Sequence, residues 1–174
     1  MVNIRNYQPG DEAGQVAVYN EAAAVFPKFK PATVDEVARR ARARDFDSGA
    51  RFYAEVNGRV VGYCNFHPNG RVSYPWCRRG HEQAAEPLFE AALTAMRGRD
   101  MKSVFAAYRG DWSGTKEFFL VHGFNIAREM VNFILDPADM PTRPGRRANP
   151  LSPLRQEDVA AVFAMAPCTP PDSL

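Results

Sequence analysis

Arg78-Arg79-Gly80-His81 stands between a β-pattern, Val72-Ser73-Tyr74-Pro75-Trp76, and an Ala- and Leu-rich helical pattern that runs to about Arg97. A strand that empties through a basic, glycine-containing turn into a helix is an anion-binding device. The N–H groups of the first helical turn have no intrahelical acceptor, and the helix dipole leaves partial positive charge beside them. The chemistry this predicts is capture of a phosphate-bearing ligand by backbone amides. Other reactive side chains are dispersed. His67, His81 and His122 show no paired spacing on one helix face, and Cys64, Cys77 and Cys168 have no ligand spacing, so no metal site is expected. Cys77, beside two arginines, could carry a depressed thiol pKa, but no His–Asp partnership is readable to support covalent catalysis.

The elements that must position this turn follow from periodicity. Ile4–Tyr7 reads as a strand, Pro9-Gly10 as a turn, and Asp11 as the N-cap of a helix with Val16, Tyr19, Ala23 and Phe26 at helical spacing. Phe26-Pro27-Lys28-Phe29-Lys30-Pro31 is a loop, and Thr33 with Glu36 makes a capping box for a helix reaching about Arg44. Asn57-Gly58 supplies the two positive-φ residues of a type I′ turn between strands at Phe52–Val56 and Val60–Phe66. Beyond the turn Pro68-Asn69-Gly70 come a strand at Arg71–Trp76, a helix at about Glu82–Arg97, and a strand at Ser103–Tyr108. A helix at about Ser113–His122 closes at Gly123, and Phe124–Leu135 alternates as one long or two short strands. The order β-α-α-β-β-β-α-β-α-β predicts an α/β fold with a mixed, mostly antiparallel sheet and helices on both faces.

Bulk properties bound the function. The 174 residues, 45% hydrophobic and 24% charged, suit one ordinary domain with an appended piece. A net charge of +2 gives no argument for nucleic acid or an anionic membrane. Arg39, Arg40, Arg42 and Arg44 spread around more than one helix face and read as a solvated surface. No apolar run approaches membrane-spanning length and Met1–Arg5 lacks a signal-peptide core, so a cytoplasmic location is the expectation.

The division expected is a domain at 1–136, a Pro- and Arg-rich linker at 137–153, and a further element at 154–174. In that last stretch Gln156-Glu157-Asp158 precedes Val159, Val162, Phe163 and Ala166 at helical spacing, repeating the opening scheme of strand, turn, Asp11 and helix. It reads either as the start of a second copy of the domain or as a C-terminal helix that docks on the first.

The element order and three segments resemble the GNAT superfamily of acyl-CoA-dependent N-acyltransferases over about Asn3–Leu135. The segments are the hairpin Ala54–Tyr63, the turn Arg79-Gly80-His81-Glu82-Gln83-Ala84, and Glu117–Phe124. The resemblance implies acetyl-CoA as acyl donor, its pyrophosphate on the amides of that turn, and its acyl arm along the backbone of Ser73, Tyr74 and Trp76. It also implies contacts from Trp112 and Phe119, and direct transfer to a neutral amine. Arg79 and Ala84 fit the ends of the family's turn pattern. Glu82 stands where the family has its central Gly, and Pro87 asks for a helix that starts late. Trp112 replaces the common Asn, and Phe119 replaces the Tyr that returns a proton to the leaving thiolate. Tyr74 or Tyr108 could substitute for that acid, and Tyr74 or a water held by Glu55 could relay the amine proton. Phe26, Lys28 and Phe29 lie in the loop that borders the acceptor in related proteins. The expected function is acetyl transfer to an unidentified small amine. The alternative is a non-catalytic domain serving as structural half of a homodimer or of a tandem protein.

Overall fold

A computed structural model describes residues 2–130 and 155–158. The chain divides into two compact units, Met1–Ala127 and Arg128–Leu174. Of the second, the described residues include a short 3-10 turn at Gln156–Asp158. The expected linker at 137–153, the domain limit near 136 and the helix after Asp158 lie outside the described residues. Among the described residues no helix is long and apolar enough to cross a membrane.

The first unit is a sheet with helices on both faces. Its strands are β1 (Asn3–Asn6), β2 (Arg51–Val56), β3 (Arg59–Asn65) and β4 (Trp76–Cys77), antiparallel in the order β1-β2-β3-β4. The helices are α1 (Glu12–Ala23), α2 (Val34–Ala41), α3 (Ala85–Gly98) and α4 (Ser113–Val121). Alternation along the strands sorts side chains into two cores. Phe52, Ala54, Val61 and Cys64 pack with Leu88, Phe89, Ala92 and Met96 of α3 and Phe119 of α4. Tyr53, Val60 and Tyr63 pack with Val18 and Ala23 of α1 and with Trp76 and Trp112. A register shift at Ala54/Glu55 leaves Val61 unpaired, so Val61 and the following Gly62 both turn toward α3. A Cβ at Gly62 would lie 3.0 Å from Leu88 Cδ1 and from the Trp76 carbonyl, which is why only glycine fits there.

Turns and caps whose signals are local form as the sequence predicts. Asn57 and Gly58 hold φ of 50° and 75° in the hairpin turn, Gly123 follows α4 with φ 83°, and Thr33 and Glu36 form both halves of the capping box. Asp11 departs from expectation. Its backbone is already helical and its side chain makes no cap. Instead it accepts Arg5 Nη1 and Nη2 at 2.8 Å each and the Gln8 N–H at 2.7 Å.

The strand expected at Ser103–Tyr108 is reduced to a single parallel bridge, Arg71↔Phe105. Gly70 O accepts the Phe105 N–H at 3.0 Å and Phe105 O accepts the Val72 N–H at 2.9 Å. The ladder then stops, because the Tyr74 N–H turns to the Tyr108 hydroxyl at 2.5 Å and Pro75 has no N–H. Backbone pairing between the two segments ends there. Residues 124–130, the described part of the expected final strand pattern, carry no strand; the remainder lies outside the described residues.

Candidate functional site

The turn between β4 and α3 is built as a nest of amides. Arg78 N donates to Val61 O at 2.8 Å, which ties the end of β4 to β3, and Gly80 then takes φ 79°. A 3-10 turn at Glu82–Ala84 delays α3 until Ala85, placing Pro87 in the first α-helical turn, where its missing N–H has no role. Two amides of the turn find carboxylates. The Arg79 N–H donates to Glu21 Oε1 and the Gly80 N–H to Glu82 Oε1, both at 3.0 Å. The Glu82 carboxylate also accepts its own N–H, and those two backbone donors, its own first, hold its pKa below the ordinary value. Glu21 further meets Arg78 Nη1 at 3.4 Å. Arg78 Nε and His81 Nδ1 are buried without a hydrogen-bond partner among the described residues. Gln83 is exposed, and Ala84 is fully buried in the α3 core. Its N–H closes the turn on His81 O at 2.9 Å.

Where the ladder stops, aromatic rings pack on one another. Tyr74 packs edge-on against Trp76 and Phe118 at centroid separations of 4.9 and 5.0 Å, and Tyr108 stacks on Phe119 at 5.7 Å. Trp112 stacks on Phe26 at 4.9 Å, and its Nε1 donates to Pro27 O at 3.0 Å, pinning the loop after α1. Phe119 is a core side chain in contact with Phe89, Phe118 and Phe124 as well. Burial raises the pKa of Tyr74 and of Tyr108, so both phenols stay protonated at neutral pH.

The residues singled out from the sequence therefore fall into four places. Arg79, Gly80, His81, Glu82, Gln83 and Ala84 form the turn, and Tyr74, Trp76, Tyr108, Trp112 and Phe119 form the aromatic cluster. Ser73 has its N–H on Asn65 O at 2.7 Å, and its hydroxyl accepts the Asn65 N–H at 2.9 Å, so it faces β3. Glu55 stands apart from the tyrosines and accepts Arg5 Nε at 2.8 Å at the β1–β2 pair. Cys77 is corrected: burial pushes its thiol up to about 12, with Glu82 adding to the rise, which is the reverse of an activated nucleophile. Glu21 was missed. It lies in the last turn of α1, 58 residues from the amide it caps, and no local pattern announces a contact of that kind.

No family model matches the sequence, and no curated protein matches it. Solved structures do match. The ribosomal-protein-alanine N-acetyltransferase from Brucella melitensis superimposes with a TM-score of 0.58 at 20% identity, over 71% of this chain and 84% of that one. Ard1 from Thermoplasma volcanium gives 0.57 at 19% identity, over 71% and 82%. The fold is that of the GNAT N-acetyltransferases. A third structure, AAC(6')-Iy in complex with the bisubstrate analog CoA-S-monomethyl-acetylneamine, gives 0.56 at 12% identity, over 78% and 99%.

Proposed function

We propose that the chain is an N-acetyltransferase that takes acetyl-CoA as donor and the amino group of a small molecule as acceptor. The observation that carries this reading is the direction of the Arg79 and Gly80 amides: both point away from chain carbonyls and onto carboxylate oxygens. Those carboxylates stand in for anionic oxygens of a ligand, and a pyrophosphate carries the same charge type in a denser form. The fold supports the reading, and so does a structural neighbour solved with a CoA-containing bisubstrate analog. In this proposal the turn residues Arg79–Ala84 hold the pyrophosphate once Glu21 and Glu82 swing aside. The acyl arm runs past Ser73, Tyr74 and Trp76, beside Trp112 and Phe119. The Tyr74 N–H passes from Tyr108 to the thioester oxygen, where it stabilises developing charge. The Tyr108 hydroxyl keeps its proton at neutral pH and delivers it to the departing thiolate, the role Phe119 lacks. The amine proton is released to solvent water, because Glu55 is held by Arg5 at the β1–β2 pair. The reaction is placed in the cytoplasm.

A second reading is favoured by the same contacts seen from the other side. Glu21, Glu82 and Tyr108 occupy the Arg79, Gly80 and Tyr74 N–H groups, as in a domain kept for its shape. The two readings are separated by incubating the protein with acetyl-CoA and a panel of small amines and following free thiol. Amine-dependent thiol release supports the enzyme. Release no faster than in buffer across the panel supports the non-catalytic domain.

A further inference from the structure

A cavity of about 410 Å³ opens on the α1–α2 side of the sheet, at the end of the β2–β3 hairpin away from its turn. Its floor is two cross-strand pairs, Arg51 opposite Asn65 and Tyr53 opposite Tyr63. Tyr19 of α1, Glu36 and Arg40 of α2 and Lys30 of the intervening loop stand around it. The charge is one-sided, with Lys30, Arg40 and Arg51 against the single carboxylate of Glu36. Glu36 is itself engaged, accepting the Thr33 N–H at 3.0 Å and the Thr33 hydroxyl at 3.1 Å in the capping box. Among the described residues none of the three cations forms an ion pair.

Arg51 is the informative member. Its Nε is buried with no hydrogen-bond partner, and its guanidinium lies 4.7 Å from the centre of the Phe46 ring. The carboxylate of Asp47, which could have neutralised it, is held by Arg99 and by the Gly49 N–H. A guanidinium does not shed its proton, so a half-buried charge is left facing a cavity without a counter-ion. An anionic group supplied by a ligand would complete the site, and the planar fork of arginine matches a carboxylate. Two lining residues, Tyr19 and Tyr63, also touch the aromatic cluster through Trp76. Tyr63 pairs with Trp76, Tyr19 meets Trp76 edge-on at 5.2 Å, and Trp76 meets Tyr74 at 4.9 Å.

We propose that this cavity holds the carboxylate of the amine acceptor, which makes the acceptor an amino acid or a small amine bearing a carboxylate. The volume lies at the small end of ligand pockets, as such a molecule requires. The inference rests on the N-acetyltransferase reading for the word acceptor, but the binding it asserts is independent of turnover. The test is calorimetric titration, without acetyl-CoA, of the full chain with each of the twenty amino acids, their carboxamides and phosphoethanolamine. At least one free acid should bind about tenfold or more tighter than its own amide, the difference a charge-assisted hydrogen bond makes. Arg51→Met should abolish that preference. Because Arg51 packs on Phe46, the exposed Arg40→Met serves as the second variant and should reduce the preference severalfold with an unchanged melting curve. Equal affinity for acids and amides, no binding by any acid at millimolar concentration, or binding of phosphoethanolamine alone would overturn the proposal. A preference for acids with no thiol release when acetyl-CoA is added would leave the carboxylate site standing and refute the transferase reading instead.

Discussion

Tyr108→Phe tests the point where fold and chemistry meet. In the structure the Tyr74 N–H has one partner, the Tyr108 hydroxyl at 2.5 Å, because the strand ladder has already ended at Phe105. Removing that oxygen leaves a half-buried amide without an acceptor, which costs about 1–2 kcal/mol. For a chain of this size the loss should lower the melting temperature by about 2–8 °C. Acetyl-CoA should change the comparison. In the wild type the thioester oxygen must displace the Tyr108 hydroxyl, whereas in Tyr108→Phe it meets an amide that is already free. The variant should therefore bind acetyl-CoA about 5- to 30-fold more tightly, the same free energy expressed as affinity. Turnover should move the opposite way, falling by about 10²–10⁴ as the proton donor to the thiolate is lost. Differential scanning fluorimetry with and without acetyl-CoA, followed by thiol-release kinetics, reads all three quantities. An unchanged melting temperature, or equal stabilisation of both proteins by acetyl-CoA, would refute the reasoning about the Tyr74 amide.

Other predictions concern the frame that holds the site. Burial alone would raise the Asp11 pKa, but the Arg5 fork and the Gln8 N–H more than reverse this, and the net shift is downward. A carboxyl lowered by folding contributes stability that is complete above its unfolded value and is lost as pH falls through the folded one. The gap between wild type and Asp11→Asn, about 1–2 kcal/mol at neutral pH for a partly exposed ion pair, should therefore close as pH drops below about 4. Thermal melts between pH 3 and pH 7 would show it; a constant gap would count against the Arg5–Asp11 pair. Leu88→Ala, at a fully buried position on α3, should lose about 2–5 kcal/mol in denaturant unfolding. Gly70→Ala puts a Cβ 2.5 Å from the Ser103 carbonyl at a φ of 87°, and should destabilise by about 1–3 kcal/mol while weakening the Gly70–Phe105 contact. Loss of the Phe105 amide's slow hydrogen exchange would report that weakening.

Much of the architecture was legible because its signals are local. Asn57-Gly58, the Thr33/Glu36 box and Gly123 each dictate a backbone geometry by themselves, and the hairpin, α2 and the end of α4 follow. Ser103–Tyr108 has strand-forming residues yet makes one bridge, since whether a strand forms is settled by what its neighbour offers. That neighbour presents Pro75 and an amide claimed by a side chain. Asp11 has the residue type of a cap but sits within reach of Arg5 on an adjacent strand, and the ion pair wins. The turn after β4 was legible as an anion site from Arg79, Gly80 and the helix behind it. That its anions are Glu21 and Glu82 was not legible, because Glu21 arrives from α1 through tertiary packing. Cys77 shows the same limit: adjacent arginines in sequence suggest activation, and burial of the thiol on β4 produces the opposite.

The claim on which the account turns is that the amides following β4 hold the diphosphate of an acyl donor. Calorimetric titration of acetyl-CoA into the wild type and into Glu82→Gly measures this directly. The account predicts micromolar binding by the wild type and tighter binding by Glu82→Gly, from which the competing carboxylate has been removed. Absence of binding by both proteins would contradict it.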